Sequence, residues 1–448
     1  MMLSMHIQNL FYIDHLSFMM TTLVGFIGTV VWIFSKKYMK GDSQASYFFR
    51  NLLVLCVSVI IMSISDHLLL FLSAWSLSNW TLRKLIIHKF EWKAARASGN
   101  LAGKNFLLGF VFIALAFVIL FLITGKSSIQ AIVQEVDCSA SIIPVLILLL
   151  LGAMTQSAIW PFHRWLISSL NSPTPVSAIM PTTVVSGGVF LLARFAPLYF
   201  NTPQFLLVIF VVGVATAFIG TLWSLMQHDV KRMLSCSTMG QMGFIFMLCG
   251  LGLFPIALAH LYFHGLFKAY LFLASGSTVQ EKRFDLGYPQ SFISFLLALV
   301  CGIIGSYCFA FMSNKPCCAT DTFFVLVVMA FVAGSQFALS LLNGYSFKMV
   351  PVALIATGLV GMIYGASISF IDVVLFPLHF MQPQPLTILH ITALILMVIA
   401  WLSILFVNQQ RYLKNMPSWV LYLYVRMLNA SQPHPATITT YRMGYRYV

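Results

Sequence analysis

Hydrophobic positions fall in long runs broken by short polar segments. The runs occupy approximately residues 14–34, 51–65, 67–82, 105–124, 142–160, 174–199, 205–227, 233–250, 255–279, 290–313, 321–343, 349–375 and 387–407. About 20 helical residues cross a bilayer's hydrocarbon core, so the pattern predicts membrane-spanning helices. The run over 51–82 is treated as a hairpin turning at Asp66-His67. One stretch departs from the pattern: QSAIWPFHRWLISSLNSPTPVSA (156–178) carries Pro161, Pro173 and Pro175. Proline removes a backbone donor and clashes with the preceding turn, so the span entering at Pro144 should break near Trp160 and Pro161. Freed backbone groups at membrane depth need protein or water beside them, as in the broken helices of transporters. An amphipathic surface helix over 161–171, with His163 and Arg164 facing water, fits the same prolines. The basic segment 83–104 suits an interfacial helix or part of a docking surface.

Composition fixes the class. With 60% hydrophobic residues, 8% charged and a mean hydropathy of +0.92, a water-soluble domain is excluded. We expect an all-α polytopic membrane protein of about thirteen transmembrane helices, with a transmembrane domain over 1–407 and a cytoplasmic tail over 408–448. The net charge of +14 lacks an aromatic-interleaved basic patch, so no nucleic acid is implied. The charges set topology instead: with the hairpin, every Lys and Arg except Lys126, Arg194, Lys315 and the intramembrane Lys268 falls on one side. By the positive-inside rule the N-terminus is then outside and the tail cytoplasmic. No removable signal peptide is expected. Eight cysteines, Cys317 and Cys318 adjacent among them, show no zinc-ligand spacing.

Candidate chemistry concentrates in residues 257–277, ALAHLYFHGLFKAYLFLASGS. His260, His264 and Lys268 are four apart, and at about 100° per residue they stand on one helix face. Ionisable groups at membrane depth face a bundle interior or a water-filled path, which makes a proton or cation route the working hypothesis. Neutral histidines bonded between helices, with a snorkelling lysine, are the structural alternative. Asp66 is either a solvated turn residue or a path-entrance carboxylate. Asp229 suits an N-cap, and Lys231 either anchors the span by its charge or joins the route. We find no nucleotide loop, nucleophile triad or zinc set, hence no catalytic residue, cofactor site or metal site in the chain.

WPFHRWL (160–166), SPTPVSAIM (172–180), HDVKRMLSCSTMGQMGF (228–244) and AHLYFHGLFKAYLFLASGS (259–277) resemble, in order and spacing, the antiporter-like subunits shared by respiratory NADH dehydrogenases and multisubunit cation/proton antiporters. CGLGLFPIALAH and LNASQPHPATITTYR (428–442) look closer to the DabB family, the membrane subunits of DAB-type inorganic-carbon uptake systems. The resemblance implies inverted five-helix repeats with broken helices and a midplane path of lysine, histidine and glutamate. It also implies a large cytoplasmic zinc-binding partner, DabA, similar to a β-type carbonic anhydrase; CO2 hydration would belong there, driven by protons or sodium ions passing through the membrane subunit. His260, His264, Lys268 and Lys231 match the family's charged positions. Gln156 stands at the broken-helix lysine, Ser76 at a glutamate and Pro181 at a histidine. Three path positions are thus neutral, and neither Gln156 nor Ser76 can carry the switching charge of a lysine–glutamate pair. A proton-translocating respiratory or antiporter subunit is the alternative function, and a non-conducting membrane scaffold a second.

Overall fold

The computed structural model describes residues 10–135, 142–276, 292–315, 320–342, 349–406 and 417–438. Cys138, Cys317, Cys318 and the basic residues at 282, 283, 348, 411, 414, 442 and 446 lie outside them, as do the ends of the spans predicted at 255–279, 290–313, 321–343 and 387–407. Among the described residues β-structure is limited to isolated bridges, and ten helices are long and apolar enough to cross a membrane. The chain divides into two compact units.

The first unit holds α1 (His15–Tyr38), α2 (Ala45–Ile64), α3 (Leu68–Ile86), α4 (Lys93–Thr124), α5 (Ile143–Gln156), α6 (Thr174–Ile179), α7 (Val184–Arg194), α8 (Pro203–Leu225) and α9 (Val230–Gly250). It also holds α10 (Phe254–Ala274) from His260 onward. The second unit holds α11 (Phe292–Met312), α12 (Phe323–Leu341), α13 (Val350–Leu375) and α14 (Ile388–Phe406). Its α11 packs closely, since a Cβ on Gly302 would overlap Ser335 of α12 and one on Gly361 of α13 would overlap Gly305. A final helix, α15 (Ser418–Ala430), precedes a strap ending in a 3-10 turn at Pro435–Thr437.

The hairpin is present, with α2 and α3 packed together and turning at residues 65–67. Asp66 is not a solvated turn residue. It is buried; its Oδ2 accepts from Ser128 Oγ at 2.5 Å and its Oδ1 from Gln130 N at 2.9 Å. The carboxylate thereby stabilises the start of the short helix Ile129–Glu135. Nearby, Asp14 caps α1 through Ser17 N at 2.8 Å and pairs with Arg194 at 2.5 Å; Arg194 also donates to Ser63 O at 3.0 Å. Residues 10–14, 63–67, 128–130 and Arg194 therefore share one end of the unit. The opposite end is joined by Asp42 with His88 at 3.0 Å, Asn171 with Ser98 at 3.2 Å and Lys231 with Ser172 O at 3.3 Å. This is the alternation of loops that the charge pattern requires. At that end the Gln44 amide and His88 hold Asp42 below the usual carboxylate range.

Two expectations are corrected. Residues 93–104 form no separate interfacial helix: they open α4, which continues unbroken to Thr124 and stops at Gly125, φ 67°. The run 174–199 is not one helix either, because it parts at 180–183 between α6 and α7. Pro181 has no N–H, and the hydroxyls of Thr182 and Thr183 both donate to Ile179 O at 2.9 Å, competing with the helical pattern.

The tightest packing joins α8 to α9. A Cβ on Gly213, Gly220, Gly243 or Gly250 would collide with backbone of the facing helix, so these glycines bring the two backbones together. Gly243→Leu should cost about 1–3 kcal/mol by overpacking, seen as a lowered melting temperature of the detergent-solubilised protein.

Candidate functional site

The close α8 contact fixes one face of α9, and the other faces carry polar groups. Near its start Lys231 donates to Ser172 O at 3.3 Å. Beside it lies a cavity of about 10 Å³, bordered by Ser177, Pro181, Lys231, Ser235 and Thr238 among others, which has room for about one water. Further along, Lys268 of α10 is 2% exposed and donates to Ser237 Oγ at 2.7 Å and more weakly to Leu234 O at 3.5 Å. Farther still, His260 Nε2 lies 2.8 Å from Gln241 Oε1, which fits a proton on that nitrogen. The His260 and His264 rings stack at 6.4 Å.

Between these anchors stands His264, buried, with both ring nitrogens lacking a hydrogen-bond partner. Its neighbour Gly265 admits the break at 180–183, since a Cβ there would meet Thr182 Cγ2 at 2.6 Å. The ladder, the cavity and the second helix break are thus one region. From Lys231 to Gln241 the line climbs ten residues of α9, about 15 Å or half the hydrocarbon thickness.

The first break begins at Gln156, earlier than Trp160 and Pro161, which lie within the irregular stretch after it. The break is held by side chains: Thr155 O accepts from Asn105 Nδ2 at 2.8 Å and Trp165 Nε1 at 3.1 Å, while Ser157 Oγ donates to Val185 O at 2.7 Å. His163 does not face water; it is buried 4.9 Å from the Trp223 ring, while Arg164 is exposed.

Gln156 does not meet Ser76. It exchanges two hydrogen bonds with Asn79, at 2.8 and 3.2 Å, both residues buried. Ser76 donates to Ser73 O within its own helix at 3.3 Å. Sequence reasoning missed Asn79, Ser237 and Gln241, since uncharged polar residues stand out only when a partner does. Their helical register offered the one available signal: 234, 237 and 241 share a face of α9.

The strap closes the Lys231 end. Gln227 Nε2 donates to Ser431 Oγ at 2.8 Å, Arg232 to Gln432 Oε1 at 3.0 Å, His434 N to Ser168 Oγ at 3.0 Å, and Asn171 Nδ2 to Thr437 O at 2.7 Å.

A family model described as NADH:quinone oxidoreductase/Mrp antiporter, TM, matches residues 65–293, over half of the chain. The chain belongs to this antiporter-like membrane family. The complex I chain 5 N-terminus model matches residues 1–49. Among similar curated proteins, a probable inorganic carbon transporter subunit DabB1 of Halothiobacillus neapolitanus is 35% identical over 288 residues, 62% of this chain and 52% of that protein. DabB of Bacillus subtilis is 34% identical over 272 residues, covering 60% and 54%. NADH-quinone oxidoreductase subunit L of Escherichia coli is 31% identical over 307 residues, covering 65% and 49%. The chain thus spans about half the length of these relatives. The Mrp complex of a Dietzia species shares the fold, with TM-score 0.56 and 21% identity, over 94% of this chain and 45% of that one.

The amide pair gives a separable prediction. Asn79→Leu leaves buried Gln156 unpaired and should cost about 1–3 kcal/mol, whereas Asn79→Leu with Gln156→Leu should be close to neutral. Melting of the two variants in detergent reads the difference; equal losses would refute mutual pairing.

Proposed function

We propose that the chain is the cation-conducting membrane subunit, carrying protons, of an energy-coupled inorganic-carbon uptake complex in a bacterial inner membrane, N-terminus periplasmic and tail cytoplasmic. The observation that carries the reading is the line Lys231, Lys268, His264, His260, half-buried at its two ends and buried at Lys268 and His264, with both His264 ring nitrogens free of hydrogen bonds. A buried lysine and stacked histidines can pass a proton by successive protonation, since imidazole both accepts and donates. The likeness to DabB proteins supports carbon uptake. CO2 hydration then belongs to a large cytoplasmic zinc-binding partner similar to DabA, and this chain is no enzyme.

A respiratory or antiporter subunit is the second reading, supported by likeness to NADH-quinone oxidoreductase subunit L. The neutral Asn79–Gln156 pair favours a third, a scaffold without conduction.

Co-expression with a genome-neighbouring zinc partner should restore growth in air to a host lacking carbonic anhydrase. A stable complex without growth would sink the carbon-uptake reading. Within that assay His264→Ala and Lys268→Arg should abolish growth while leaving the complex assembled, because arginine keeps the charge but does not release its proton. Undiminished growth in both variants would make the ladder interhelical glue.

A further inference from the structure

The first unit has a second feature, unconnected to the ladder. A groove of about 660 Å³ runs between α3 and α4. Its α3 wall is Ser73, Ser76, Leu77 and Trp80, and its α4 wall is Gly103, Phe106, Leu107 and Phe110. Each set follows the spacing of one helix face, so two continuous faces diverge. The apolar walls are open to the outside, with Leu107 64% exposed and Leu77 and Trp80 also exposed.

One end of the groove is cationic. Arg83 and Lys84 occupy the last turn of α3, Arg83 lining the groove and Lys84 following it at the rim, at the end of the unit where most basic residues gather. Both lie against the Trp80 ring, with Lys84 Nζ 5.2 Å and Arg83 Cζ 5.6 Å from its centroid. Arg83 is steered inward: its Nη2 donates to Asn100 Oδ1 at 2.8 Å, and Gly103 makes room, since a Cβ there would meet Arg83 Cδ at 2.9 Å. Its Nε is buried without a partner. Lys104 lies exposed one residue beyond Gly103.

We propose that this groove binds one anionic phospholipid, its phosphate held by Arg83 and Lys84 and an acyl chain laid along Leu77, Leu107 and Phe110. A transmembrane helix from another protein would satisfy the apolar walls but not the cations. An anionic phospholipid does both: guanidinium and ammonium match its phosphate, an indole suits the depth where headgroup meets chain, and the walls suit its hydrocarbon. The floor joins the lipid to the broken helix, because Asn79 pairs with Gln156 and Phe106 packs on Trp165 at 4.8 Å.

The test reconstitutes the full chain in phosphatidylcholine bilayers doped with a lipid brominated on its upper acyl carbons, which quenches nearby tryptophan. Brominated phosphatidylglycerol should quench more than brominated phosphatidylcholine at the same mole fraction, with roughly fivefold enrichment per cation at the site. The excess should vanish in Trp80→Phe, which removes the reporter, and fall in Lys84→Gln, which breaks no hydrogen bond of the fold. Equal quenching by the two lipids, or an excess unchanged in either variant, would overturn the proposal. Loss of the excess on adding inorganic phosphate would also overturn it, marking a free-phosphate site.

Discussion

An ammonium group inside a membrane protein must be met by acceptors or expelled, and the packing of the first unit follows from how Lys268 is met. Its acceptors are Ser237 Oγ and Leu234 O on α9. That pins the rotation of α9 against α10, which then sets Gln241 opposite His260. The opposite face of α9 is fixed by glycines meeting α8 backbone. With both sides determined, Lys231 turns toward the break between α6 and α7, where Pro181 and Ser177 border the small cavity. Packed against a helix held this firmly, α10 can present His264 with both ring nitrogens unbonded, because the neighbouring contacts offset that cost.

The two helix breaks have different characters. The first is closed by side chains that take up its loose carbonyls, and the nearby amide pair satisfies itself at no net charge. The second lies against Gly265, next to the residue whose nitrogens remain unmatched. The ionisable ladder is therefore carried by α9 and α10, while the contact of α3 with α5 at Asn79 and Gln156 is neutral and mutually bonded.

Much of this was legible in the sequence. Length and hydropathy placed the helices, because membrane spans need continuous apolar runs; charge parity identified the hairpin at residues 65–67. The ladder was visible because three ionisable residues in an apolar run are conspicuous. The break at 180–183 was hidden by apolar neighbours: one proline between Met180 and Thr182 does not show which carbonyls the threonines will claim. Asp66 was misjudged for a related reason. Its partners Ser128 and Gln130 lie more than sixty residues on, and a carboxylate at a turn looks solvated until the loop that covers it is placed. Gln156 with Asn79 is the same lesson at a separation of 77 residues.

The strap carries this dependence on distant residues furthest. Ser431 holds Gln227 across 204 positions, and Thr437 holds Asn171 across 266. Helices α11 to α14 are synthesised between the groups and their partners. During biogenesis the first unit must therefore wait, its Lys231 end unsealed, while four further helices leave the ribosome. Sealing that end can only follow synthesis of the second unit, which makes the strap a built-in record that the second unit has been made.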